Sequence, residues 1–262
     1  MSKAPAAEPR KSFDSNAETY HEIRPNYPPS MFDDLFRLLP GRPAILEVGP
    51  GTGQATRDLL SRGATVHAVE IGPAMAAKLR EVLPSPALTV TIGDFEEVDL
   101  EEHGFDAVFS AAAYHWISAK AQVDRPVSAL KPGGVVAIVD LNQVNSPDDK
   151  GFFAAAQPIY ARYSGGHIGP RAPERDAVDP PIHLVLRSDP RFSNVELRPY
   201  DWNQTYSAAD YRKLMITYSS TQMMTPSARH ELLDDMENFV RQQFDNQVTQ
   251  PIVVTLTTAR LT

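Results

Sequence analysis

The residues best placed to do chemistry in this sequence are three carboxylates that follow strand-like runs, a set of closely spaced glycines, and one histidine between aromatic residues. Residues 44–54, A-I-L-E-V-G-P-G-T-G-Q, pass from five residues of buried-strand character into a loop holding Gly49, Gly51 and Gly53. A helical pattern with Ala55, Leu59 and Leu60 follows. Such a corner suits a nucleotide, because glycines turn the backbone sharply and admit a ligand closely, while unpaired N–H groups at a helix start favour electron-rich oxygens. Glu47, at the exit of the first run, is an odd residue for a plain buried strand. Glu70 ends the run T-V-H-A-V, about twenty residues past the glycines, where an acid can accept hydrogen bonds from a ribose diol. Asp94 closes the run L-T-V-T-I within Gly93-Asp94-Phe95. The run F-D-A-V-F-S then leads into A-A-A-Y-H-W-I, which sets Tyr114, His115 and Trp116 behind three small residues. Open α/β sheets bind ligands at this carboxyl edge, and a histidine with an unperturbed pKa of about 6.5 can take a proton at neutral pH.

The elements that must position these residues alternate strand and helix. Strands are expected at 44–48, 65–69, 88–92 and 105–110, with helices at 55–62, 73–82 and 119–130, the last carrying Pro126 as a kink, and 130–140 reads as a turn running into a fifth strand. Lys131-Pro132-Gly133-Gly134 reads as a turn feeding the fifth strand. Two short helices precede the first strand, one capped by Ser15 or Asn16 and ended by Pro25, the other opening at Pro28-Pro29-Ser30 with Met31, Leu35 and Leu38 on one face. Beyond Asp140 the expectation is a helix at 152–163, a Gly/Pro/charge-rich loop at 164–181 with His167, a strand at 195–200, helices at 208–218 and 226–243, and a last strand at 252–259. The pattern gives an α/β fold, with a seven-stranded, mostly parallel Rossmann-like sheet, helices on both faces and a helical cap.

The glycine spacing separates two nucleotide readings. The dinucleotide fingerprint G-x-G-x-x-G would need glycine at position 54, which is Gln54. G-x-G-x-G with an acid two residues before the first glycine resembles the first motif of the class I, Rossmann-like S-adenosylmethionine-dependent methyltransferases. The acids after the second and third strands and the Lys131-Pro132-Gly133-Gly134 turn extend the resemblance, which covers residues 13–260 and is strongest over 44–140. It implies S-adenosyl-L-methionine as cofactor, bound by Tyr20, Arg24, Glu47, Gly49, Gly51, Gly53, Gln54, Glu70, Ile71, Met75, Asp94, Phe95, Ala111, His115 and Trp116. Within that set Arg24 would pair with the cofactor's carboxylate and Asp94 would face the adenine amino group. The acceptor implied is a small organic molecule methylated on oxygen, nitrogen or carboxylate, with His115 as the catalytic base or as an orienting group. Tyr114, His167 and Tyr218 are expected to touch it, and Tyr206, Tyr211 and Met223 are candidate pocket walls. A nicotinamide-dependent oxidoreductase and a non-catalytic nucleoside-binding protein stay open at this point.

Composition narrows the partners. The chain has 262 residues, no cysteine and a net charge of −8. Thiolate metal sites and disulfides are therefore excluded, and no metal is expected. The charge argues against a nucleic-acid partner, since phosphate binding draws on clustered Lys and Arg. No apolar run reaches a membrane span and residues 1–12 read as a disordered tail, so no membrane partner and a cytoplasmic location are expected. The rest is expected as a single domain over 13–262, with lid helices at 13–39, a cofactor core at 40–144 and cap insertions at 145–193 and 203–243. The sequence carries no signal for an oligomeric state.

Overall fold

Ala44–Val48, strand β1, has four of its five residues buried, the pattern of a strand covered on both faces. Beside it run β2 (Thr65–Glu70) and β4 (Phe105–Ala111), both parallel to it, and β3 (Leu88–Ile92) lies parallel to β2 on the far side. Strand β5 (Leu130–Gln143) is parallel to β4. With β6 (Phe192–Asp201) and β9 (Ile252–Leu261) the seven-stranded order is β3-β2-β1-β4-β5-β9-β6. The order reverses between β1 and β4, and that reversal opens a crevice at the carboxyl ends of the central strands. This is the Rossmann-like α/β sheet that the sequence predicts. The structure is a computed structural model describing residues 12–165 and 171–262. Among the described residues, no helix is long and apolar enough to cross a membrane.

The chain forms two compact units. A sheet unit comprises Asn26–Leu141, Asp179–Tyr200 and Val254–Thr262, and a helical unit comprises residues up to Pro25, Asn142–Val178 and Asp201–Val253. Each has its own core. In the sheet unit Leu46, Val48, Val108, Leu130, Val136 and Ile138 pack with Leu186 and Phe192. In the helical unit Phe152, Tyr211, Leu232, Met236 and Val240 do so, and the Phe152 ring meets those of Tyr211 and Phe244 edge-on, each at 5.2 Å. The segment 145–193 divides between the units, at Val178.

Several elements differ from the expectation. Lys131-Pro132-Gly133-Gly134 is not a separate turn. Strand β5 runs through it as a bulge: Leu130 pairs with Phe105 and Val135 with Ala107, so five steps of β5 answer two of β4, with Gly133 at φ +74°. Helix Pro181–Ser188, which buries Ile182 and Leu186, occupies a stretch with no predicted element. The 203–243 insertion opens with a strand, β7 (Gln204–Ser207), which pairs antiparallel with β8 (Gln247–Gln250). Ser207 then caps helix Ala208–Ile216 by accepting from the Asp210 N–H. That helix stops short of 218, because Thr217 turns its hydroxyl back to the Leu214 carbonyl (2.6 Å) and Tyr218 is extended before Ser219–Gln222.

Helix Ala121–Ala129 continues past Pro126. Proline has no N–H, so the carbonyl four residues earlier, on Gln122, loses its helical donor. The Tyr114 hydroxyl donates to that carbonyl at 2.8 Å, while the Gln122 amide donates back to the Tyr114 and Ile117 carbonyls. Tyr114 is 2% exposed, and burial pushes its hydroxyl well above the usual phenol range. It is a core residue that repairs a proline-broken helix. The expected substrate contact is corrected accordingly. Tyr114→Phe should lower stability by about 1–2 kcal/mol, the cost of a stranded buried carbonyl, and urea unfolding of the two proteins checks this.

Candidate functional site

The crevice beside β1 is built by backbone geometry. Gly49, Gly51 and Gly53 all have positive φ, at +66°, +58° and +96°. Gly49 also has a steric reason to lack a side chain, since a Cβ there would lie 2.5 Å from Ala113 Cβ in the loop after β4. At Gly53 a Cβ would meet the methyls of Leu79 and Leu83 at 2.7 Å. The glycines therefore bring two loops and a helix against β1, the close approach that the sequence reading reserved for a ligand. The helix that follows is short, Thr56–Ser61, and is separated from the strand by a turn. Within that turn Gln54 and Thr52 are buried and hydrogen-bond each other at 2.9–3.1 Å, so the Gln54 amide supports the loop from inside.

Glu70 holds three loops at once. Its Oε2 accepts from the Gly51 N–H at 3.0 Å, its Oε1 from the Gly72 N–H at 2.8 Å, and its backbone carbonyl from the Gly93 N–H at 2.9 Å. Glu47, one strand away, is 1% exposed and its Oε2 has no hydrogen-bond partner. Burial raises its pKa to about 8, against a smaller lowering by the neighbouring Thr56 hydroxyl, and the Glu70 charge adds to the rise. Asp94 accepts the Glu96 N–H at 3.0 Å, which fixes the turn after β3. A residue that sequence reasoning missed completes the acids: Asp140, late in β5, whose pKa burial raises to about 6. The signal was present, as an acid closing the apolar run V-V-A-I-V. Strands β1, β2, β3 and β5 thus each bring a carboxylate to the same edge.

The loop after β4 supplies the histidine. Ala112 has φ +56° and donates its N–H to the Val139 carbonyl at 2.8 Å, which bends the chain into the 3₁₀ turn Tyr114–Trp116. His115 is exposed as a whole, but its ring lies 4.9 Å from the Trp116 ring, and the partial burial lowers its pKa. The imidazole is thus neutral at pH 7. Ala111 and Trp116 are half-buried in the same loop, and Ile71 is half-buried beside Glu70. Met75 and Phe95, each 3% exposed, are packed in the interior and do not present open faces.

The remaining predicted residues belong to the helical unit. Arg24 donates to the Thr217 hydroxyl at 2.9 Å and the Thr217 carbonyl at 2.8 Å, with its guanidinium 4.9 Å from the Tyr20 ring centroid and 5.1 Å from that of Tyr218. Tyr206 and Tyr211 are buried there, whereas Met223 is exposed. His167 lies outside the described residues.

Residues 46–138, all within the sheet unit, match the model of the methyltransferase domain family. An uncharacterized methyltransferase of Mycobacterium bovis is 36% identical over 128 residues, 49% of this chain and 51% of that one. Malonyl-[acyl-carrier protein] O-methyltransferase of Halorhodospira halophila is 32% identical over 155 residues, 57% of this chain and 48% of its own. The chain thus spans about half the length of these relatives. Among solved structures, phosphoethanolamine N-methyltransferase 2 of Haemonchus contortus with S-adenosyl-L-methionine shares the fold at TM-score 0.54 and 18% identity, over 95% of this chain and 57% of that one.

The raised Glu47 pKa has a consequence for stability. The folded state holds a proton on Glu47 up to about pH 8, whereas the unfolded chain releases it near the ordinary value of 4.5. Stability should therefore fall as pH rises through that window. Glu47→Gln, which cannot ionise, should flatten the loss, read as urea midpoints of both proteins at pH 5 and pH 8.5.

Proposed function

We propose that this protein transfers a methyl group from S-adenosyl-L-methionine to a small organic acceptor, because residues 46–138 match the model of the methyltransferase domain family and lie on a Rossmann-like sheet. The observation that carries the reading is the buried Glu47 carboxyl with an unpartnered oxygen at an edge that collects four acids. A cationic ligand satisfies that oxygen. The cofactor's ammonium and sulfonium fit such an edge, and the pyrophosphate of a nicotinamide dinucleotide would be repelled by it.

The residues divide the work by their chemistry. Glu47 would hold the ammonium. Glu70, an acceptor-only carboxylate at the end of β2, would take the ribose hydroxyls. Asp94 would accept from the adenine amino group, and Ile71 would lie on the ring. When bound, S-adenosylmethionine supplies an electrophilic methyl on a good leaving group, so the protein needs mainly to align the acceptor and exclude water. His115, neutral at pH 7, takes the proton that a hydroxyl or amine acceptor releases as its bond to the methyl carbon forms. A carboxylate acceptor releases none, and His115 then only orients it. The face of Trp116 favours a neighbouring cation. The net charge of −8 supports a small molecule over a nucleic acid as acceptor.

Parallel calorimetric titrations with S-adenosylmethionine, S-adenosylhomocysteine and NAD test the cofactor. The first two should bind and NAD should not, and binding of NAD alone would overturn the reading. His115→Ala should leave the S-adenosylmethionine Kd within about twofold. With a hydroxyl or amine acceptor found by radiolabel screening, it should lower kcat by about 10²-fold or more and remove the acid limb of the pH profile, which lies below 6.5.

A further inference from the structure

The helical unit gathers phenols around one guanidinium. Tyr206 is 6% exposed and its hydroxyl has no hydrogen-bond partner. An atom in that state has lost its hydration without return, which native structures rarely tolerate unless a ligand or water completes it. The Tyr206 ring lies 6.3 Å from that of Tyr211, whose hydroxyl shares a 3.1 Å hydrogen bond with Tyr160. All three belong to one core cluster, against which Tyr218 also packs. Tyr218 acts electrostatically on Tyr160, Tyr206 and Tyr211, and Arg24 acts on Tyr206 and Tyr218.

Counting donors and acceptors gives the ligand's chemistry. Each phenol carries one O–H: the Tyr160–Tyr211 contact uses one, that of Tyr218 has the Gln250 side chain as hydrogen-bond partner, and Tyr206 uses none within the protein. Arg24 spends Nε and one N–H of Nη2 on Thr217 and retains further donors. Among the described residues, no carboxylate perturbs any of these four tyrosines, and the charged group that does is Arg24. The cluster is rich in donors, positive in charge and poor in acceptors, a combination that a carboxylate completes.

We propose that Tyr206 and Arg24, backed by Tyr160, Tyr211 and Tyr218, form a site for the carboxylate of a small molecule other than the cofactor.

The test compares the full chain with Tyr206→Phe, by thermal unfolding and by calorimetry with acetate, malonate and benzoate, each against its amide. Without ligand, the variant should melt a few degrees higher, because it loses only an unpaired buried hydroxyl. At least one acid, and not its amide, should bind the native protein, and the variant should bind it about tenfold more weakly or worse. A lower melting temperature in the variant, no acid binding, or equal binding by both proteins would each overturn the site. The cofactor's own carboxylate is separated by titrating S-adenosylhomocysteine and methylthioadenosine, which lacks it. A loss in the variant confined to S-adenosylhomocysteine would assign the tyrosines to the cofactor and overturn the proposal. Tyr206-dependent acid binding without any S-adenosylmethionine binding would uphold the site while removing the methyl-transfer reading.

Discussion

The carboxylate of Glu70 is the constraint on which the rest of the edge depends. One side chain and its own carbonyl accept N–H groups from the loops after β1, β2 and β3, so three independent turns share one anchor. Hydrogen bonds from backbone N–H groups to a carboxylate are stronger than neutral ones and define a geometry, because the acid has only acceptors to offer. The lacing then continues across the sheet. Gly49 donates to the Val69 carbonyl at 2.9 Å, Ser110 to the Val48 carbonyl at 2.8 Å, and Ala112 to the Val139 carbonyl at 2.8 Å. Loops that would otherwise move independently are tied into one wall. A wall of this kind can recognise a ligand without first being ordered by it.

This anchoring explains why two buried acids can sit near each other. Glu70 is satisfied by N–H donors, and its charge then acts on Glu47, which has no such cradle and stays protonated to about pH 8. A plain core would exclude Glu47, since a buried carboxyl with an unpartnered oxygen lowers stability. Its retention makes sense if a cationic group completes it. The edge is therefore strained in its hydrogen bonding and not in its backbone alone.

Much of this was legible from the chain. Strands β1 and β3 and helix Pro73–Val82 lie where apolar runs, β-branched content and an N1 proline place them. Glu47, Glu70 and Asp94 stand out in the sequence as acids at the ends of strand-like runs, and they lie at or just past the ends of β1, β2 and β3. What escaped depended on partners distant in sequence. Pairing of β7 with β8 joins two four-residue polar segments about forty residues apart, and neither has alternation enough to announce itself. Tyr114 looked like a pocket aromatic because its neighbours are, and only the Gln122 carbonyl, orphaned by Pro126, reveals its task. The bulge in β5 read as a turn because Pro-Gly-Gly has the same local chemistry in both.

The two units carry opposite chemistries. The crevice edge of the sheet unit is acidic, apart from a neutral histidine, while the tyrosine cluster of the helical unit presents phenolic donors and a guanidinium. The segment that matches the family lies wholly in the first. A cofactor common to many enzymes asks for a constant set of contacts, and the glycine spacing and strand-end acids supply residues of that kind. The orphan hydroxyl of Tyr206 lies in the helical unit, outside the matched segment. No rule of secondary structure requires a tyrosine there, and phenylalanine would fill the same core, so its oxygen is explained by what the unit binds rather than by how it folds.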